Sequence, residues 1–288
     1  MIIAALYGGL GNQMFQYAAA RAAALRSRQD LALDLSWFTR ENTNERRRPY
    51  LLHKFQIQAS IATDNYLAPI KSAPILNGDL RQTNTRQKII RESSFEFQGE
   101  LRSDEGDAYL DGYWQSEKYF LDFADQISSE LRICGDTPLK DLPSITHIPS
   151  RPAVAIHVRR GDFVSDPKTF AAHGLCPLDY YFKAATLLIA RLGSPRFFVF
   201  SDDVDWCKSN LLLPTDAQYA GNSDVDDPTR DFSLMSQCEH FVNANSSFSW
   251  WASWLARNPN KIVIAPMKLV EGDWLNTKDY FPSRWLRL

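Results

Sequence analysis

His157, Arg159, Arg160 and Asp162 fall within six residues, HVRRGD, directly behind the apolar run Ala153-Val-Ala-Ile156. Two guanidiniums in that position could hold a diphosphate, because the planar fork donates bidentate, charge-assisted hydrogen bonds to phosphate oxygens. The competing reading is a structural ion cluster in which Arg159 or Arg160 pairs with Asp162, and these residues alone do not separate the two. Ser201-Asp202-Asp203 and Asn243-Ala-Asn245-Ser246-Ser247 stand in comparable places behind apolar runs. The second group precedes Phe248 and a stretch of helical period. Its hydroxyls and the amides of a first helical turn can make an anion site, or Ser can simply cap the helix. Gly8-Gly9-Leu-Gly11-Asn12-Gln13 adds a glycine loop where backbone can approach a ligand closely. The acidic runs Asp202-Asp203-x-Asp205 and Asp224-x-Asp226-Asp227 could be read as metal-binding. Two arginines, a histidine and a helix N-terminus already suffice to neutralise a leaving diphosphate, so no metal and no cofactor are expected. Asp202 could instead accept hydrogen bonds from a purine edge or ribose hydroxyls.

Groups of this kind converge only if short buried strands end beside one another. Ile2 to Tyr7, the glycine loop, an Ala-rich helix from Met14 to about Arg26 and a strand Leu31 to Leu35 make a strand, loop, helix, strand unit typical of doubly wound α/β folds. A dinucleotide fingerprint is the rival for this loop, with Asp34 near the place of a ribose-binding acid. It fails at Met14, where a third small residue would be needed. Tyr109 to Tyr113 reads as a strand, and Ser116 as the cap of a helix running to about Leu131. Tyr113 and Trp114 could stack on a sugar, although core packing is the commoner use of such residues. Residues 57 to 105 carry weak periodicity and yield no assignment. Thr137 to Pro152, with four prolines, marks a linker between a first domain, 1–136, and a second, 153–288, whose aromatic tail is a candidate to fold back on the first.

The second half alternates strands and helices: helices at Leu178 to Leu192, from about Val204, Thr229 to Cys238 and Phe248 to Ala256, and strands at Arg196 to Phe200, Glu239 to Val242 and Lys261 to Ala265. Ligands of such sheets bind beyond the carboxyl ends of the strands, where all three polar groups stand. Trp250, Trp251 and Trp254, at helical spacing, read as core.

With 32 Lys and Arg against 34 Asp and Glu, the chain has no basic excess that would call for nucleic acid, and its arginines matter locally. Four scattered cysteines with no CxxC pair indicate neither a disulfide framework nor a metal cluster, and fit a reducing cytoplasm. No signal peptide or membrane span is expected from the opening MIIAALYGG. Arg46-Arg47-Arg48 reads as a solvated loop, with peripheral contact to an anionic inner-membrane surface as the alternative.

HVRRGD at 157–162, FSDDVDWC at 200–207, NANSSFSWWASWL at 243–255, GGLGNQMFQYA at 8–18 and GYWQSEKYF at 112–120 together resemble the bacterial α-1,2-fucosyltransferases of glycosyltransferase family 11. The resemblance implies a GT-B-like architecture, two Rossmann-like domains facing across a cleft. It also implies GDP-β-L-fucose as a donor held mainly by the second domain without metal, and inverting transfer to the 2-hydroxyl of a terminal galactoside glycan. It implies Arg160 at the diphosphate, with His157, Arg159, Asp162, Asp202, Asn245, Ser246, Ser247 and Phe248 around the donor. Asn12 would approach the reacting sugar, with Gly9, Gly11 and Gln13 beside it. Asp162 and Asp34 are the candidate bases, with a water relay as the alternative. Readings from other classes are a transferase using another GDP-sugar, an NAD-dependent oxidoreductase, and a non-catalytic carbohydrate-binding module.

Overall fold

The computed structural model describes residues 1–39, 48–71, 75–77, 87–103, 105–134, 150–220, 227–272 and 275–288. Two compact units are present, Met1–Cys134 with Leu275–Pro282, and Gly135–Trp274 with Ser283–Leu288. Most of the expected linker, with Asp224, Asp226, Arg46 and Arg47, lies outside the described residues.

The first unit carries β1 (Ile2–Ala5), β2 (Leu31–Asp34), β3 (Ser60–Ile61), β4 (Ile75–Asn77), β5 (Gln87–Arg91) and β6 (Asp107–Asp111). They form one sheet in the order β3-β2-β1-β6-β5-β4, parallel throughout. Parallel strands with both faces covered carry unbroken apolar runs, and all four residues of β1 are buried. The helix Leu10–Ser27 covers the sheet through its alanines. Tyr17 and Arg21 tie it to the Glu130 carboxylate at the end of the helix Ala124–Glu130. Its first turn begins at Leu10 rather than Met14, so Gly11, Asn12 and Gln13 are helical, and Met14 is fully buried. The single helix expected after Ser116 is instead two 3-10 turns, Glu117–Tyr119 and Leu121–Phe123, ahead of Ala124–Glu130. The break falls at Phe120 (φ −139°), which leaves helical geometry, while Ser116 does cap the first turn.

The second unit carries β7 (Ala153–Val158), β8 (Arg196–Ser201), β9 (Ala217–Tyr219), β10 (His240–Val242), β11 (Val263–Ala265) and β12 (Leu286–Arg287). Its order is β12-β11-β10-β7-β8-β9, again all parallel. From β7 the chain winds outward through β8 and β9, then returns to the other side of β7 at β10. The winding therefore reverses between β7 and β10, the position at which doubly wound sheets open a crevice beyond their carboxyl ends. The core packs Val154, Ile156, Phe197, Val199, Val242 and Ile264 against the helix Leu178–Leu192. Trp250 and Trp251, in the helix Ser247–Leu255, are fully buried, and Trp285 of the tail packs on Trp250 with ring centroids 5.4 Å apart. The other tail segment lies in the first unit, where Tyr280 packs on Phe15 and the Asp279 carboxylate accepts from Lys118 at 2.5 Å.

Candidate functional site

Register brings the three polar groups together. Val242 pairs with Ile156 and Val158 with Ser201, so β10, β7 and β8 end side by side. Beyond them stand Asn243 to Ser247, Arg159 to Asp162, and Asp202 with Asp203.

The two arginines are held differently. Arg159 bridges two carboxylates: Nη2 meets Asp162 Oδ1, and Nη1 lies 2.6 Å from Asp202 Oδ2. Its guanidinium also lies 5.5 Å from the centroid of Phe163, whose ring stacks on His173 at 5.0 Å. Arg160 donates its backbone N–H to Asp202 Oδ1 at 2.8 Å and Nε to Asp203 Oδ2 at 2.9 Å. The Arg160 guanidinium lies over Trp206, 3.5 Å from the ring centroid. Among the described residues no hydrogen bond leaves Nη1 or Nη2 of Arg160. Asp203 is 40% exposed, whereas the two acids on Arg159 are 20% and 15% exposed. Water weakens the Asp203 pair more, so an incoming anion can compete for Arg160 far more readily than for Arg159.

Asp202 positions both arginines with its two oxygens, Oδ1 accepting from the Arg160 backbone and Oδ2 facing Arg159 Nη1. Gly161 makes this possible, since a Cβ there would come within 2.4 Å of Asp202 Oδ2. Asp203 also caps the helix Val204–Asn210 by accepting from Trp206 N. In the acidic run Asp202 and Asp203 are engaged with arginine and Asp205 with Lys208, and among the described residues no three His, Cys, Asp or Glu side chains could hold a metal ion. Gly161 and Trp206 were not singled out by sequence reasoning, and Asp203 only as part of an acidic run. The signal for the last two was the capping spacing of Asp203 and Trp206 after a strand.

His157 is buried with its ring 5.4 Å from Phe248, and its Nδ1 has no hydrogen-bond partner among the described residues. Burial, helped by the Arg159 charge, lowers its pKa to about 3, so it is neutral at physiological pH. Two guanidiniums therefore meet three carboxylates, and the site offers directed donors rather than a positive field. Ser246 caps the helix Ser247–Leu255 by accepting from Phe248 N at 3.3 Å, and Ser247 opens the helix, whose N-terminus follows β10 directly. Asn245, expected at the donor, spends its amide on the carbonyls of His173 (2.9 Å) and Leu269 (3.3 Å).

In the first unit, Gly9 is the helix N-cap in extended conformation, and a Cβ on it would meet nothing within 4 Å. The glycine that the loop requires is Gly8, at φ +77°. Gln13 is committed internally: Nε2 donates to the Gly8 and Pro49 carbonyls, and Oε1 accepts from Leu51 N. Asn12 accepts from Gln115 Nε2 at 2.9 Å. Asp34 accepts from Ser36 and, at 2.6 Å, from the Tyr109 hydroxyl.

The family description glycosyl transferase family 11 matches the chain over residues 1–288. The chain belongs to glycosyl transferase family 11. This family 11 chain is 33% identical to an alpha-1,2-colitosyltransferase of Escherichia coli, over 100% of its own length and 99% of the relative's. It is 31% identical to the O-antigen biosynthesis glycosyltransferase WbnK of Escherichia coli, over 98% and 99%. A shorter match, 39% identity over 37% of the chain and 30% of the relative, joins it to galactoside 2-alpha-L-fucosyltransferase SEC1 of Bos taurus. Among solved structures its fold resembles Arabidopsis thaliana FUT1 in complex with GDP (TM-score 0.54, 10% identity, 94% and 72% coverage). It also resembles the α-1,6-fucosyltransferase NodZ co-crystallised with GDP (TM-score 0.50, 13% identity, 91% and 94% coverage). The fold class is thus the GT-B-like α/β type. No helix among the described residues is long and apolar enough to cross a membrane.

Proposed function

We propose that this family 11 glycosyltransferase moves L-fucose from GDP-β-L-fucose to the 2-hydroxyl of a terminal galactoside, with inversion and without a metal ion. The observation that carries the reading is Arg160: a guanidinium fixed by Trp206 and Asp203 at the reversal of the second sheet, with both terminal amino groups uncommitted among the described residues. They suit the diphosphate. As the bond from fucose C1 to the phosphate oxygen breaks, negative charge grows on GDP and positive charge on the sugar. Donors already in place need no reorganisation at that moment. The dipole of the helix Ser247–Leu255 adds to them at its N-terminus, and neutral His157 can share a hydrogen bond without competing for the anion. Arg159 and Asp162 act mainly by holding the loop, and Asp202 by aligning both arginines. The acceptor oxygen attacks the opposite face of C1, and its proton leaves to Asp162, Asp34 or water.

A second reading, colitose as the transferred sugar, is favoured by the identity of a third to an α-1,2-colitosyltransferase over the whole chain. The test is parallel incubation with GDP-fucose and GDP-colitose over a panel of galactosides, with linkage read by NMR. An α-1,2-fucosylated product is expected. Turnover of GDP-colitose alone would replace the donor, and turnover of neither would remove the proposal.

A further inference from the structure

Glu92 stands one residue past β5, next to the end of β6, because Arg91 pairs with Asp111. Its carboxylate accepts from the backbone amides of Tyr113 (2.7 Å) and Trp114 (3.1 Å). Trp114 holds φ +54°, a left-handed conformation that costs a bulky residue about 1 kcal/mol or more, and the turn aims two successive amides at one anion. Gly112 lets the chain pass: a Cβ there would lie 2.4 Å from the Glu92 Cβ and 2.8 Å from Trp114 Cε2. The buried Trp114 ring, edge-on to Tyr119 at 5.4 Å, holds this conformation.

An aromatic corner forms around Tyr113, whose backbone amide the carboxylate holds. Because β6 also pairs with β1, Tyr7 arrives beside Tyr113, edge to face at 5.0 Å, and Phe95 reaches Tyr113 at 5.8 Å. All three residues are partly buried. Two residues on, Gln115 ties the corner to Asn12 of the glycine loop. Burial pushes the Glu92 acid up to about 7, with the Asp111 charge adding to it and the two amides opposing. Tyr7, Tyr113, Tyr119 and Arg91 are the other titratable or charged groups about it.

We propose that Glu92 with the rings of Tyr7, Tyr113 and Phe95 forms a subsite for a pyranose ring of the acceptor glycan. A pyranose presents an apolar C–H face beside outward hydroxyls, and this corner offers matching aromatic faces beside a carboxylate acceptor. The inference deepens the transferase reading and rests on it.

The experiment measures both sides of the reaction in Glu92→Gln and Tyr113→Ala. Expected is a rise of about tenfold or more in acceptor KM, roughly one hydrogen bond to a charged group, with GDP affinity by calorimetry and Tm close to wild type. Wild-type acceptor KM should rise as pH falls through about 7, where the carboxylate gains its proton, and this slope should vanish in Glu92→Gln. A loop cap with no part in binding would leave both KM and its pH profile in place, and that result overturns the subsite, as does a fall in GDP affinity in step with KM. Should Glu92→Gln not fold, Tyr113→Ala decides alone. Saturation-transfer NMR of methyl galactosides on the protein without donor separates the two readings. A transfer signal that disappears on these substitutions supports the subsite even if fucose is the wrong donor, and the lack of any signal in wild type removes it.

Discussion

The carboxyl ends of the two parallel sheets are built by opposite electrostatic means. In the second unit, charge is fixed in pairs: Arg159 between Asp162 and Asp202, Arg160 between Asp203 and Trp206, with a glycine where a side chain would push Asp202 away. In the first unit, one carboxylate is held by the backbone amides of two aromatic residues, and burial brings its titration near neutrality. Fixed pairs suit a ligand that is charged at any pH and gains further negative charge during reaction. A carboxylate in an aromatic turn suits an uncharged polyol. Sheets of one class can thus present ends matched to different halves of a transfer reaction.

The largest effect should separate the two arginines themselves. Arg160→Ala is expected to lower kcat/KM by about a hundredfold or more and to weaken GDP, with Tm nearly unchanged. Arg159→Ala should instead lower Tm by several degrees, since it removes the guanidinium that Asp162 and Asp202, both largely buried, share. Equal losses of GDP affinity with equal Tm would erase the distinction. Steady-state kinetics, calorimetry and thermal melts on the two variants read it directly.

Gly161→Ala comes next. The new methyl would enter the space of Asp202 Oδ2, and the crowding is expected to cost about 1–3 kcal/mol in urea unfolding and to weaken GDP. Gly9→Ala, in open space, should do neither.

A smaller effect concerns acid. His157 has a folded pKa of about 3 against 6.5 when unfolded, so stability from the neutral ring is present above pH 6.5 and is lost as pH falls toward 3. Urea unfolding between pH 7 and 4 should show this slope, reduced in His157→Gln. The smallest expected effect is that of EDTA, which should leave activity unchanged. A strict requirement for Mn²⁺ or Mg²⁺ would return the acidic runs to the centre.

Much of the second unit was legible in the chain because its chemistry is local. Each polar group follows its own buried strand within a few residues, so HVRRGD, SDD and NANSS announce themselves. Which arginine is spoken for was not legible, because Asp202 and Asp203 reach it from the neighbouring strand. The first unit hid more. Tyr7, Glu92 and Tyr113 lie far apart in sequence, and only the pairing of β1 and β5 with β6 makes them neighbours. Short strands such as β3 and β9, with two and three residues, also carry too little periodicity to be read.

A crystal structure of the protein soaked with GDP tests the central claim most directly. The diphosphate is expected within hydrogen-bond distance of the terminal amino groups of Arg160, beside the first turn of the helix Ser247–Leu255. GDP bound elsewhere, with Arg160 still turned only to Asp203 and Trp206, would contradict it.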